Sequence, residues 1–562
     1  MGRVTSTISP IRTGAHRMRP PGGSWLDDLW AGWTATPGLR RRTELVVVGL
    51  ITLIGVLVRF IRLGHPPRIV FDEVYYVLEG WTISNLGYEA EWPENGQELF
   101  EAGQVDAYGT AGKYVVHPPL GKYLIGWGMQ LFGAEHAFAW RISVAIIGAL
   151  AVPLLYLVGR KLFRSIGMAA IAAGFLALDG HAIVTSRISI LDGPLMFFVL
   201  LGFLFILYDR EQQTRQIAEW AADWRVRAHA KDPSIPLEAK PSRWSLTVRR
   251  PRTRAPGPDW GPILWFRPWL VAAAVTLALA TSIKWSGLYF LAAFCLLTIG
   301  FDAAARKQAG ITYWLSAAVL KQGWASFLLT IPAAILVYLA TFIGWFRSSE
   351  GYYADWAQSD PSRPWGGLLE GVPLSFQNFW HYQSEILQFH STLGADHPYA
   401  SAPIEWPFLI RPTAFKYDYY GPNQEYVEAV TSISNPLMFW LGTIAVVFLV
   451  MMLFVKPRWQ YAAILTGYAA GYLPWLITGR TAVYHFYAIA WLPFMFLAAA
   501  VAIETIAGSA KDDRRMRTPA VNIATGFLVL TVLVSILFYP VWTGLMIPEW
   551  YWSLTHWLPS WR

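Results

Sequence analysis

Cysteine is almost missing from this chain. Cys295 stands alone in 562 residues, inside an apolar run, so no intrachain disulfide framework holds the fold together. Charge is scarce as well. Charged residues make up 15% of the sequence against 54% hydrophobic. An ordinary soluble chain is roughly 25% charged, so a purely soluble multidomain enzyme is excluded. There is no GxxxxGK(S/T) phosphate loop and no GxGxxG fingerprint, which leaves nucleotide-driven chemistry unsupported. Neither a fixed-period repeat nor the inverted symmetry of many transporters is visible. Metal-ligand spacing is lacking too. His381, His390 and His397 stand nine and then seven positions apart, and no metal site is expected.

What the chain does have is apolar length and aromatic rings. Its 30 Trp, 26 Tyr and 31 Phe suit long belts at a membrane–water interface. The first 43 residues are rich in Arg, Pro and Gly and carry no cleavable signal pattern. The apolar run from Thr43 to Val58 is followed by Arg59 and Arg62 without a small-residue cleavage site, and reads as a retained first span. Further runs lie near 138–158, 167–184, 190–208, 268–283, 286–301, 325–346, 436–455, 459–477, 484–503 and 520–540. The expected fold is an all-α polytopic membrane protein with about eleven transmembrane helices. Leu120–Phe132, at about 13 residues, is too short to span and is expected to be an interfacial helix in the first outer loop. A second interfacial face is expected from Phe376, Phe379, Trp380, Ile386 and Leu387.

Charge placement orients the model. With the N-terminus cytoplasmic and the C-terminus extracytoplasmic, the inner segments are 1–44, 159–166, 209–267, 302–324, 456–458 and 504–518. They hold 31 of the 45 Lys and Arg but only 14 of the 37 Asp and Glu. The overall +8 thus divides into +17 inside and −9 outside. It is a positive-inside signal, and nucleic acid is not an expected partner. Four segments follow: a basic tail 1–43, a membrane module 44–346 with an outer loop 63–137 and a cytoplasmic insertion 209–267, a large outer loop 347–435, and a membrane region 436–562 with four helices and a short tail.

Ionisable residues at membrane depth are costly, on the order of 2.5–3.5 kcal/mol each. Here they gather on the outer side: Asp72, Glu73, His117, Lys122, Arg141, Asp179, His181, Arg187, Asp192, Lys284, Arg480 and His485. Several have a bland reading. Asp72 suits a helix N-cap, Lys122 and Lys284 can snorkel, and Asp192 before Gly193-Pro194 can cap a helix beside Arg187. The functional alternative makes Asp72 a general base and lets Arg141, Lys284 and Arg480 neutralise a phosphate.

Several stretches together resemble the bacterial protein O-mannosyltransferases, membrane glycosyltransferases of the GT-C fold. They are Phe71-Asp72-Glu73, His117-Pro-Pro-Leu-Gly-Lys122, Trp140-Arg141, Ser186-Arg187, Leu191-Asp192-Gly193 and Ser282-Ile-Lys-Trp-Ser-Gly287. In the second outer loop they are Phe389-His390-Ser391, His397-Pro-Tyr-Ala-Ser401, Trp406-Pro407 and Arg411-Pro412, then Asn435-Pro436 and Gly479-Arg480-Thr481. They occur in family order over roughly residues 45–540.

The resemblance implies inverting transfer of mannose from polyprenyl-phosphate mannose to Ser or Thr hydroxyls of exported proteins, on the outer membrane face. Asp72 matches the family's essential aspartate, with Glu73 in support and Arg141 an important arginine. Lys284, Arg480, Arg187, His117, Lys122 and Asp192 are expected around the donor. His390, His397, Tyr399 and Trp406 are expected in the acceptor loop. No cofactor is required, although the Asp-Glu pair leaves room for a divalent cation. Membrane lipids and unfolded or translocating polypeptides are the expected partners, with the protein-export machinery a candidate neighbour. The second outer loop is too short for the carbohydrate-recognition-like insert of eukaryotic members. A GT-C enzyme with a lipid or glycan acceptor is the nearer alternative, a transporter or flippase the more distant one.

Overall fold

The structure is a computed structural model and describes residues 23–238, 257–394 and 397–561. Residues 1–22 of the basic tail and 239–256 of the insertion, with Trp244, lie outside the described residues. All eleven apolar runs carry helix. Among the described residues, seven helices are long and apolar enough to cross a membrane: Pro37–Phe60, Ala137–Phe163, Asp192–Lys231, Gly287–Gln308, Trp314–Thr341, Pro436–Val455 and Arg514–Thr543. Ile166–Leu178, Pro268–Thr281 and Leu492–Ala507 are shorter apolar helices, and Trp459–Leu476 completes the set.

Three runs are broken rather than continuous, one of them 325–346, which breaks at Phe342 between Gly323–Thr341 and Ile343–Arg347. The run 167–184 stops at Asp179, whose carboxylate accepts from Ala182 N at 3.0 Å and Asn435 N at 2.9 Å, starting the short helix Gly180–Val184. The run 484–503 opens as a 3₁₀ turn over His485–Ala490 before Leu492–Ala507. Two buried arginines lock neighbouring helix ends. Arg187 donates to the carbonyls of Arg59, Ile61 and Arg62 past Pro37–Phe60. Arg59 in turn donates to Leu176 and Ala177 at the end of Ile166–Leu178. Carbonyls that a helix C-terminus would leave orphaned are satisfied in both places.

Asp192–Lys231 has 40 residues, about 60 Å at 1.5 Å per residue, or twice the hydrocarbon thickness. The insertion expected at 209–267 therefore begins as a continuation of a span. Its described return segment, 257–267, is strapped down by buried side chains. Arg306 donates to the carbonyls of Trp260 and Pro262, Gln322 binds both backbone groups of Leu264, and Arg267 pairs with Asp209 and Gln213.

In the loop between Pro37–Phe60 and Ala137–Phe163, Glu73–Leu86 crosses Leu120–Phe132 at a pair of glycines. A Cβ on Gly80 would meet Lys122 O at 2.9 Å, and one on Gly126 would meet Gly80 O at 2.2 Å. This close crossing fixes the Asp72-Glu73 helix against the His117–Lys122 turn. Leu120–Phe132 is a 13-residue helix as expected, with Trp127, Leu131 and Phe132 exposed. Leu374–Thr392 corrects the single apolar face drawn from sequence. Phe379 and Ile386 are buried against Phe342 and Trp345, whereas Phe376, Trp380 and Leu387 face outward.

The all-α expectation needs a second correction. The loop 347–435 supplies β1 (Thr413–Tyr420) and β2 (Tyr426–Ser432), and the segment after Arg514–Thr543 supplies β3 (Met546–Pro548), to a three-stranded antiparallel sheet in that order. Aromatic and β-branched residues flank the turn Gly421-Pro422-Asn423-Gln424, and such side chains fit a half-buried pleated surface.

Candidate active site

Phe71 adopts φ +53°, a left-handed conformation that is strained for a bulky residue. It is held there by rings on every side: Phe415 at 5.0 Å, His397 at 5.9 Å, Phe486 at 6.0 Å and Tyr484 at 6.1 Å between centroids. The bend presents Asp72 and Glu73 in opposite ways. Asp72 stands at the N-cap position of Glu73–Leu86 but makes no side-chain cap, so the capping reading fails and its carboxylate is left half-buried. Burial pushes that carboxyl up to about 6, against the pull of Lys284 and with a smaller push from Asp192.

Glu73 is wholly buried and fully used. It accepts from Arg141 Nε and Nη2, each at 2.8 Å, from Val70 N at 2.9 Å and from Ser189 N at 2.8 Å. Arg141 spends its remaining donors on the carbonyls of Pro66 and Arg68. Neither side chain keeps a bonding direction for a substrate, so the geometry gives Arg141 a scaffold partner rather than a phosphate.

The other candidate cations separate in the same manner. Arg187 is consumed by the helix-end carbonyls described above. Lys122 is fully buried between Glu89 and Glu79, with Glu79 also paired to Lys113 at 3.0 Å; it neither snorkels nor reaches the site. Asp192 pairs with Lys284 at 3.0 Å, not with Arg187. Lys284 lies 4.0 Å from the centroid of the Tyr487 ring. Arg480 is the least committed: Nη1 donates to His390 Nδ1 at 3.4 Å, Nη2 to Ala482 O at 3.4 Å, and the buried Nε has no partner.

Lys284 and Arg480 line one cavity of about 240 Å³, together with His117, His390, Trp285 and Trp475. His390 donates from Nε2 to Val116 O at 2.8 Å, which leaves Nδ1 free to accept from Arg480. Burial, the main cause, pushes His390 down to about 4. Burial and then Lys284 hold His117 well below its ordinary value, so both imidazoles are neutral at pH 7. Their rings stack at 5.4 Å. Aromatic walls beside two cations match the needs of a lipid-linked phosphate, an apolar slot ending in fixed positive charge.

The acceptor-loop candidates divide as well. His390 belongs to the cavity, and His397 packs on Phe71 beside Asp72. Tyr399 follows His397 at 6.0 Å. Trp406 is completely buried against Trp475 and Tyr487, a packing position that faces no acceptor. Sequence reasoning missed Tyr76, which packs on His117 at 6.1 Å, and Tyr487 beneath Lys284. Their only signal was proximity to Asp72 and His485. Among the described residues, no group of three or more His, Cys, Asp or Glu gathers to hold a metal.

Comparison with known proteins identifies the family. Residues 49–224 match the family model described as dolichyl-phosphate-mannose-protein mannosyltransferase. Residues 375–561 match the C-terminal four TMM region of protein-O-mannosyltransferase. A polyprenol-phosphate-mannose–protein mannosyltransferase of Mycobacterium tuberculosis is 33% identical over 539 residues, 93% of each chain. That of Mycolicibacterium smegmatis is 31% identical over 576 residues, 100% of this chain and 98% of its own. Among solved structures, the S. cerevisiae protein O-mannosyltransferase Pmt1-Pmt2 complex bound to the sugar donor superposes with TM-score 0.63 at 15% identity, covering 97% of this chain and 95% of that one; the fold is shared. With near-complete coverage by such relatives, the chain belongs to the protein O-mannosyltransferase family, as a multi-pass membrane enzyme.

Proposed function

We propose that this enzyme transfers mannose, with inversion, from polyprenyl-phosphate mannose to Ser or Thr hydroxyls of exported polypeptides at the outer membrane face. One observation carries the site assignment. Of the cations considered, only Lys284 and Arg480 line the cavity, and Asp72 lies near enough to Lys284 to feel its charge.

In this reading the donor phosphate sits against Arg480 and Lys284, with its first isoprenoid units between Trp285 and Trp475. Asp72 takes the proton of the acceptor hydroxyl as that oxygen bonds to the anomeric carbon. The bond from anomeric carbon to phosphate oxygen breaks on the opposite side, and the two cations stabilise the departing phosphate. A carboxyl raised toward 6 is a better base than an ordinary Asp near 3.9. Asp192 holds Lys284 in place, and Glu73 with Arg141 holds the bend that presents Asp72.

An orientation with the N-terminus inside, the C-terminus outside and about eleven spans is supported by the charge division and by helix in every apolar run. The deciding assay combines purified protein, labelled polyprenyl-phosphate mannose and a Ser/Thr-rich peptide. Label is expected on the peptide with wild type and lost with Asp72→Asn. Label moving only to lipid or glycan would overturn the protein-acceptor assignment.

A further inference from the structure

A second cavity, of about 200 Å³, opens on the outer sheet away from the donor cations. Its walls are aromatic: Tyr417 of β1 and Trp552 lie nearly parallel, 6.1 Å between centroids at 12°, with Tyr399 and Trp561 alongside. Its polar groups include the Glu549 carboxylate, the Thr431 hydroxyl and the His556 imidazole, whose Nδ1 lies 2.9 Å from Trp552 O. Glu549 Oε1 accepts from Ser553, which holds the carboxylate in place.

Flat ring faces suit the C–H faces of a pyranose, and a fixed carboxylate suits its hydroxyls, the usual division between apolar walls and a few placed polar groups. No Lys or Arg lines the cavity, and the carboxylate repels anions, so a lipid phosphate does not belong there. The cavity is also joined to the proposed base. Phe71 touches His397 at 5.9 Å, and His397 touches Tyr399 at 6.0 Å.

We infer that this cavity is a second sugar subsite, which holds a mannosyl residue already attached to the acceptor polypeptide while a neighbouring hydroxyl reaches Asp72. The inference rests on the transferase reading above. Two successive ring contacts separate Phe71, next to Asp72, from Tyr399, further than one residue of extended chain spans at about 3.5 Å. The carried mannose and the next hydroxyl are therefore expected several residues apart, taken as four in the test.

The test uses the full-length enzyme, labelled polyprenyl-phosphate mannose and three peptides of one sequence. One is unmodified, one carries a mannosyl-Thr four residues from a free Thr, and one carries it on the adjacent residue. Wild type is expected to show a KM about tenfold lower for the four-residue spacing than for the unmodified peptide, and no gain for the adjacent one. Tyr417→Ala and Glu549→Gln, each tested separately, are expected to abolish that gain and leave kcat and KM for the unmodified peptide unchanged. Equal KM values for all three peptides with wild type, or a gain that survives both variants, would overturn the subsite while leaving the transferase assignment intact. Absence of transfer to every peptide would instead overturn the transferase assignment, and the subsite with it.

Discussion

Glu73 and Arg141 form a two-pronged buried ion pair, Nε to Oε1 and Nη2 to Oε2, both at 2.8 Å. The pair ties the start of Glu73–Leu86 to the first turns of Ala137–Phe163. Asp72, one residue earlier, takes no part in it. Two adjacent carboxylates thus have opposite fates, one locked into the scaffold and one left without a cap partner.

Removing one partner of a buried pair costs about 3–5 kcal/mol, because the other charge stays buried and uncompensated. Glu73→Ala and Arg141→Ala are therefore expected to lower Tm in detergent sharply and to reduce the folded yield. Arg141→Lys should rescue little, since an ammonium cannot reproduce the planar fork or reach the Pro66 and Arg68 carbonyls at once. Asp72→Asn should leave Tm near wild type. A stable, fully folded Glu73→Ala protein would contradict the scaffold role.

Asp72→Asn keeps the shape and removes the base, so kcat is expected to fall by roughly 10²–10⁴-fold with little change in donor KM. The pH profile follows from the raised carboxyl. The base must be ionised to accept a proton, so kcat/KM should fall about tenfold per unit below roughly pH 6 and be flat above it. Initial-rate measurements from pH 4.5 to 8 check this. A limb near pH 4 would mean that Asp72 is better solvated than its pocket implies.

Arg480→Ala should cost roughly 10²–10³-fold in kcat/KM, the scale found when one preorganised donor to a developing negative charge is lost. Arg480→Lys should recover part of it. The contrast is with Arg187→Lys, which leaves helix-end carbonyls unpaired and should show first as lost stability. If Arg480→Ala alters only Tm and leaves the residual enzyme fully active, the phosphate belongs elsewhere.

The sequence carried the site's address but not its division of labour. Asp72-Glu73 and the candidate cations stood out in the sequence because charge at membrane depth is rare. Which cation meets which carboxylate depends on tertiary approach. Arg141 finds Glu73 across 68 positions, and Lys122 disappears between Glu79 and Glu89 because Gly80 lets its helix come so close. The sheet had a local signature in Tyr417-Asp-Tyr-Tyr420 and Tyr426-Val427, but the apolar runs dominated the reading. Trp406 looked like a loop residue and is core, since an interfacial tryptophan and a packing tryptophan share the same sequence context.

The near-absence of cysteine makes the orientation directly measurable. Cys295→Ser removes the sole thiol and gives a background for single labels. Glu370 lies exposed in the loop 347–435, and Ala230 is exposed near the end of the 40-residue helix; the proposed orientation puts the first outside the membrane and the second inside. A membrane-impermeant maleimide is expected to label Glu370→Cys in intact cells, and Ala230→Cys only after permeabilisation. The expectation is physical. The segments assigned to the cytoplasm carry +17 and the remainder −9, and moving that excess of Lys and Arg outward opposes the bias that sets membrane topology. The reverse labelling pattern would put Asp72, Lys284 and Arg480 on the inner face, where the polypeptides they meet have not yet crossed the membrane.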